Sequence, residues 1–173
     1  MLKVKKISRK MYVALLSEVG LPEHPQLFNS SVAAAEYFRT TTKELSLKTW
    51  IDLKDPKSAH YESYAYSSDA QHNFEIRVWG VECVNAERAI ADDFFVIQKI
   101  DKGILDKPEI YDDWKTANAA FCLKATNLEY YPQKSRNSFP RRDGNWGYVT
   151  SSDMEKEIWF WKVKVRKEIF FLV

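Results

Sequence analysis

Glu109, Asp112 and Asp113 are the acidic residues with the most suggestive spacing, because they flank one side of a predicted helix. Asp92 and Asp93 lie on the helix predicted before it. Convergent carboxylates hold divalent ions such as Mg²⁺, so these residues raise the hypothesis of a metal-dependent hydrolase. A structural role explains them more simply, since acidic side chains in the early turns of a helix favour its dipole. We therefore predict neither a metal site nor a cofactor, and the hydrolase is kept as a second alternative.

A segment rich in cations and aromatic rings is the second feature that suggests chemistry. Arg and Lys neutralise phosphates while exposed rings stack on bases, which is typical of single-stranded nucleic-acid platforms. Tyr, Trp and Arg also dominate the hot spots of protein interfaces. The structural alternative is that the rings belong to the core and the cations solvate a loop. The predicted binding residues are Tyr130, Tyr131, Lys134, Arg136, Arg141, Arg142, Trp146 and Tyr148.

The chain lacks the sequence motifs of the common catalytic and nucleotide-binding sites. Its five glycines form neither GxGxxG nor GxxxxGK, and GxSxG and HExxH are also absent. His60 and His72 lie at opposite ends of a predicted hairpin, roughly 26 Å apart, too far to share a metal or a proton. His24 can approach only one of them. We therefore predict no catalytic residues and favour a protein without enzymatic activity.

Charge is unevenly distributed along the chain, although the net charge is only +2. Residues 82–113 contain nine acidic and four basic residues, a net of −5, whereas basic residues cluster at 3–10, 134–142 and 162–167. Such polarity suits a protein partner, since complementary charge sets register and association rate. The favoured function is a non-catalytic macromolecular binding protein with a protein partner, of the inhibitor or immunity type. A single-stranded nucleic-acid-binding protein that uses the same basic and aromatic surface is the alternative.

The composition is that of an ordinary globular protein, with 45% of the 173 residues hydrophobic and 29% charged. This length suits one domain over residues 1–173. Cys83 and Cys122 lack CxxC spacing, so we expect free thiols in a reducing cytosol. The basic N-terminus lacks the apolar run and cleavage site of a signal peptide, and no stretch has the length of a membrane span. We predict a cytoplasmic protein with no membrane partner.

Helical signals occur in four segments of the sequence. The first begins after Ser8, carries Met11 and Leu15 on one face and ends at Gly20. The second runs from residue 31 to about residue 40, beginning at Ser31. These two segments precede the first alternating stretch of the chain.

The third and fourth predicted helices lie in the middle of the sequence. The third begins at Asn85, although its later part, from Phe94 to Ile100, also fits a strand. The fourth has a capping-box-like start, with Glu109 three residues after Asp106, and should end near residues 124–127. Its apolar stripe consists of Ile110, Trp114, Ala117 and Phe121.

Alternation of apolar and polar residues predicts the strands. Residues 45–53 alternate, with Trp50 on the polar side, and residues 61–66 and 74–84 form a predicted hairpin. Apolar parity changes at Gly80 within the second arm, which predicts a β-bulge there.

The last part of the chain is also predicted to form strands. Asp143-Gly144 predicts a hairpin turn. Trp159, Trp161 and Val163 then share one face of a final strand that should bend near residues 166–168. Because helices and strands do not alternate regularly, we predict an α+β fold, a mostly antiparallel sheet with about four helices packed against it.

Overall fold

The computed structural model describes residues 9–52, 62–67, 74–84, 93–128 and 138–166. The chain forms two compact units, one containing Lys10–Gly80 and Lys164–Val173, the other Met1–Arg9 and Val81–Val163. Each unit is described by itself. The organisation of residues 1–173 as a single domain stays a prediction.

The first unit contains one helix, α1 (Ser31–Glu44), and is called the α1 unit. Ser30 caps the helix, since its side chain accepts a hydrogen bond from the Ala33 N–H at 3.3 Å. Antiparallel pairing joins β1 to β2 and β3, and joins β4 to β5 and β5 to β6. The strands are β1 (Lys10–Glu18), β2 (Leu21–Pro22), β3 (Gln26–Phe28), β4 (Lys48–Asp52), β5 (Glu62–Tyr66) and the first seven residues of β6 (Phe74–Val84).

The core of the α1 unit lies between α1 and one face of its strands. Phe38 of α1 packs in one cluster with Ala65 of β5 and with Ile76 and Val78 of β6. Side chains alternate between the two faces of a strand. Because Ala65 lies on the core face of β5, Tyr64 and the residue two positions along the strand lie on the other face. The helix thereby determines which residues of β5 and β6 are displayed.

The second unit contains the helix α2 (Trp114–Asn127) and is called the α2 unit. Its ladder runs β10–β11–β7–β9–β6, and β8 pairs with β7. The pairs are antiparallel except β6 with β9, which is parallel, so the sheet is mixed. Its strands are the end of β6, β7 (Phe94–Asp101), β8 (Ile104–Leu105), β9 (Glu109–Tyr111), β10 (Trp146–Thr150) and β11 (Lys156–Val163).

Helix α2 packs against one face of β10 and β11 and buries it. The Asp113 side chain caps the helix by accepting from the Thr116 N–H at 2.8 Å. Phe121 is fully buried and meets Phe160 of β11 edge-to-face, with ring centroids 5.8 Å apart. Val149 of β10 belongs to the same cluster.

The prediction of a mostly antiparallel sheet with about four helices packed against it is wrong. The described residues form two helices and a strand-rich, mixed sheet, so the α+β class survives only in outline. The segment after Ser8 is strand β1, in which Met11 to Leu15 are all buried. A short apolar run buried on both faces has the same sequence appearance as part of a buried helix. Gly20, the predicted helix end, lies instead in a turn with φ +76°.

The fourth predicted helix begins later than its capping-box signal indicated. Glu109 lies on β9, where its carboxylate accepts hydrogen bonds from Tyr111 and Lys124 instead of capping a helix. The helix begins at Trp114, with Asp113 as its cap. Its predicted end near residues 124–127 is confirmed.

Several local predictions are confirmed. The second helix is α1, although it extends to Glu44, and the two hairpin arms are β5 and β6. The strand alternative for residues 94–100 is correct and corresponds to β7. The start of the third predicted helix, at Asn85, lies outside the described residues. Buried parity does change along β6, from Ile76 and Val78 to Val81 and Cys83, while the β-bulge at Gly80 stays a prediction.

Candidate functional site

The β10–β11 hairpin places four aromatic side chains on the face opposite α2. Trp146 lies directly across from Trp161, and Tyr148 from Trp159. The Tyr148 and Trp159 ring centroids are 4.4 Å apart, and Trp159 stacks on Trp161 at 5.5 Å with planes 7° apart. Residues directly across an antiparallel pair share a face, so the four rings lie on the same face of the hairpin. We call Trp146, Tyr148, Trp159 and Trp161 the β10–β11 surface.

Exposure differs among the rings of the β10–β11 surface, even between the cross-strand neighbours Trp146 and Trp161. Trp146 is 52% exposed, Tyr148 and Trp159 are half-buried, and Trp161 is 4% exposed. The Trp159 Nε1–H donates to Glu157 at 2.9 Å, which fixes the orientation of that indole. Of the rings of the β10–β11 surface, Trp146 therefore presents the largest fraction of its area to solvent.

The loop before β10 is held against that strand. Ser138 exchanges two backbone hydrogen bonds of 2.7 Å with Tyr148. Pro140 lies over Gly147 so closely that a Cβ there would come within 2.7 Å of the proline Cδ. Glycine at position 147 is therefore required for this loop path.

A turn after Pro140 displays two arginines. The Gly144 N–H donates to the Arg141 carbonyl at 2.9 Å, which closes a turn centred one residue before the predicted Asp143-Gly144 pair. That it is a hairpin turn stays a prediction. Arg141 and Arg142 are exposed, five and four positions before Trp146. In the ranges that the structure describes, neither arginine forms an ion pair.

Half of the predicted binding residues are placed by the structure. Arg141, Arg142, Trp146 and Tyr148 lie in the continuous described segment 138–166, within eight positions of one another. Trp159, which contacts Tyr148, was not predicted as a site residue. The only sequence signal for it was its alternation with Trp161, and that pattern does not identify the strand beside it. The remaining predicted residues, outside the described ranges, are Tyr130, Tyr131, Lys134 and Arg136.

Comparison with known proteins identifies no relative. No protein-family model matches the chain, and neither the curated proteins nor the solved structures contain a match. Evidence for function therefore comes from the geometry and chemistry of the chain's own residues.

The α1 unit carries a second aromatic surface that the site prediction missed. Trp50 is 67% exposed, and its ring centroid lies 6.4 Å from that of Tyr66. Tyr66 in turn stacks on Tyr64 at 5.8 Å. The Arg77 guanidinium lies over the Tyr64 ring, 4.4 Å from its centroid. We call Trp50, Tyr64, Tyr66 and Arg77 the β4–β6 face; the polar-side position of Trp50 in the sequence pattern was the available signal.

Two of the acidic residues that suggested a metal, Glu109 and Asp113, have structural roles; Asp92 lies outside the described residues. Glu109 accepts from Lys124 at 2.8 Å and from the Tyr111 hydroxyl at 2.5 Å, while Asp113 caps α2. Burial raises the pKa of Glu109, but these two hydrogen bonds, together with the charges of Lys124 and Lys99, outweigh that effect and hold the pKa below its usual value. No cluster of three or more His, Cys, Asp or Glu side chains suited to a metal occurs among the described residues. The hydrolase hypothesis gains no support from these contacts.

The two cysteines are free thiols, as predicted. Cys83 is buried, and that burial, with a smaller contribution from Asp112, raises its pKa to about 12. Cys122 is half-buried on α2. A thiol held protonated in this way is a poor nucleophile, so Cys83 serves packing.

The structure tests two further expectations only in part. His24 Nδ1 lies 3.2 Å from the Pro25 carbonyl oxygen, whereas His60 and His72 fall outside the described residues. Neither described helix has the length and apolar character that crossing a membrane requires. The cytoplasmic compartment stays a prediction.

Proposed function

We propose that this protein is a non-catalytic binding protein whose partner is another protein, contacted through the β10–β11 surface and the adjacent arginines. The observation that carries the proposal is the exposure of Trp146 close in sequence to Arg141 and Arg142, for which the described residues supply no acidic partner. Trp, Tyr and Arg are the residue types that contribute most to protein interfaces. Acidic groups on a partner would complete the contacts of the arginines.

Burial of Trp146 alone would supply useful binding energy. A tryptophan can bury about 200 Å², so covering its exposed half removes roughly 100 Å² from water and contributes about 2.5 kcal/mol. Each charge-assisted hydrogen bond from an arginine adds roughly 1.5–3 kcal/mol before ordering costs.

Affinity capture from a lysate of the native organism tests this proposal. The immobilised baits are the wild type, the triple variant Arg141→Ala/Arg142→Ala/Trp146→Ala, and Trp50→Ala as a matched control on the other surface. We expect a nuclease-resistant protein to be retained by the wild type and Trp50→Ala and lost from the triple variant. Equal retention by the triple variant would remove this surface from the proposal.

The inhibitor or immunity-type role is the finer part of the proposal. A small binding protein without catalytic groups can act by covering a functional surface of its partner. The captured protein's own activity, assayed with and without an equimolar amount of this chain, tests that role. Loss of activity supports inhibition, while unchanged activity would leave a binding protein that does not inhibit.

Single-stranded nucleic acid is the alternative partner, and the same two arginines beside an exposed ring favour it. For two phosphate contacts, the logarithm of the binding constant should fall with the logarithm of salt concentration at a slope of about −1.4. Filter binding to single-stranded RNA and DNA across a salt series measures that slope. Absence of binding at low salt would eliminate this alternative.

A further inference from the structure

The turn between β1 and β2 holds a valine in a strained backbone conformation. Val19 and Gly20 have φ values of +53° and +76°, the pattern of a type I′ hairpin turn, in which asparagine and glycine are the usual central residues. A β-branched side chain at positive φ is an outlier, because its Cβ crowds the backbone. Val19 is also 67% exposed, so burial does not offset this strain. Strained residues that the fold does not require are candidates for a functional role.

The β7–β8 turn has the same backbone pattern without a β-branched residue. Lys102 and Gly103 have φ values of +51° and +78°. The Lys102 N–H donates to the Glu155 carbonyl, and its Nζ lies 3.6 Å from the Glu155 carboxylate. The residue at the first central position of that turn therefore has a structural role. Comparison of the two turns shows that this turn type does not itself require the valine at position 19.

The β1–β2 turn also places apolar side chains between acidic ones. We call this segment the β1–β2 tip, which comprises Glu18, Val19, Gly20, Leu21 and Glu23. Leu21 is 64% exposed and lies directly across from Glu18, so these two side chains share a face. Both glutamates are exposed, and within the described part of the chain neither forms an ion pair. Residues 11–38 contain three glutamates and no lysine or arginine. The tip is therefore apolar with a negative rim.

The charge of the β1–β2 tip indicates the kind of partner that it binds. Membrane surfaces and nucleic acids are themselves negative and attract cations, so two carboxylates oppose both. Protein interfaces combine an apolar centre with a polar rim, and complementary charges fix their register. The Glu23 N–H donates to the Leu16 carbonyl at 2.8 Å, which holds the chain beside the hairpin in place before binding. We infer that the β1–β2 tip is a further binding surface, which inserts Val19 and Leu21 into an apolar pocket of a partner protein rimmed by Lys or Arg.

Photo-crosslinking with the full chain tests this inference. The crosslinking amino acid p-benzoylphenylalanine replaces Leu21 or, as the matched control, Ile104, which follows the β7–β8 turn and is 62% exposed. In a lysate of the native organism, we expect a protein product from position 21 at least tenfold above that from position 104. The product supports the inference only when mass spectrometry maps the crosslink to a peptide that contains apolar residues together with Lys or Arg.

Competition with unlabelled protein shows which side chains the partner recognises. Excess wild type, Ile104→Ser and Trp146→Ala should each reduce the product at least fivefold. Leu21→Ser and the double variant Glu18→Lys/Glu23→Lys should leave the product unchanged. Because Trp146 belongs to the β10–β11 surface, its variant separates this inference from the proposed function. Failure of Trp146→Ala to compete would assign the product to the β10–β11 surface and overturn the inference.

Val19→Asn tests the strain independently of the partner. It should raise the melting temperature by about 2–4 °C, because asparagine adopts positive φ more readily, and it should not compete for the crosslink. An unchanged melting temperature, equal products from positions 21 and 104, or full competition by the charge-reversed variant would overturn the inference. Flotation of the chain with phosphatidylcholine vesicles, lost in Leu21→Ser, would assign the tip to a membrane and overturn it equally.

Discussion

The β10–β11 surface and the β4–β6 face have the same residue types but differ in whether their arginines have partners. Each presents an exposed tryptophan and contains a tyrosine in contact with another aromatic ring, and each has arginine nearby. On the β4–β6 face Arg77 lies over a ring and beside Glu62, whereas Arg141 is exposed on a turn. Residue composition therefore identifies a surface suited to binding, while the partners of its charges indicate what it binds.

Each surface also lies on strands whose other face packs in a core with a helix. Phe38 of α1 and Phe121 of α2 are both buried against the opposite face of the strands that carry the rings. The display of each surface therefore depends on a helix–sheet core in its own unit. Substitutions in these cores and on the two surfaces distinguish one surface from the other, and the core substitutions should have the largest effect.

Phe121→Ala should lower the free energy of unfolding by about 3–5 kcal/mol, because it empties a fully buried aromatic site. Phe38→Ala should have a similar effect under the β4–β6 face. Urea denaturation followed by circular dichroism measures both losses. A loss below about 1 kcal/mol for either variant would show that its helix does not support the surface above it.

Gly147→Ala should destabilise the protein by about 1–3 kcal/mol, since the added methyl group would overlap Pro140. The displaced loop should change the amide shifts of Arg141 and Arg142 and leave those of Tyr64 and Tyr66 unchanged. Gly103→Ala is the control, with open space around it and only the strain of its φ of +78°, about 1 kcal/mol. Equal spectral changes in both surfaces would contradict the described loop path.

Arg77→Met should cost roughly 1 kcal/mol, because it removes the contact with Tyr64 and the ion pair with Glu62. Arg141→Met should change stability by less than about 0.5 kcal/mol, since that side chain is exposed. Thermal denaturation at low and high salt compares the two. If Arg141→Met were the more destabilising substitution, the contrast between the surfaces would be wrong.

The smallest expected effect concerns Glu109, in the unit that carries the β10–β11 surface. Its pKa is lowered in the folded state, so its contribution is present above the unfolded value of about 4.3 and is lost as pH falls through the folded pKa. Because the pair with Lys124 is partly exposed, we expect less than about 1 kcal/mol. Lys124→Met should therefore be less stable than the wild type at pH 7 and nearly equal to it at a pH of about 2.5. A gap of the same size at both pH values would contradict this assignment.

Local signals predicted the elements that depend on nearby residues. Ser30 caps α1 through its own side chain, and alternation with a polar loop was enough for β5 and β6. Strand β1 was not predictable in this way, because burial of both faces removes the alternation. Trp159 could not be linked to Tyr148, since strand pairing joins residues that are distant in sequence. The pattern placed Trp50 on the polar side of its strand, yet the site prediction rested on clustered cations, which occur in another segment.

The exposure of Trp146 is the claim on which both the proposed function and the contrast between the surfaces depend. The ¹⁹F NMR spectrum of protein containing 5-fluorotryptophan, recorded with a soluble gadolinium chelate, measures it directly. Single Trp→Phe substitutions assign the six resonances. We predict strong broadening for Trp146 and Trp50 and little for Trp161 and Trp79, which are 4% and 3% exposed. A Trp146 resonance as protected as that of Trp161 would contradict the claim.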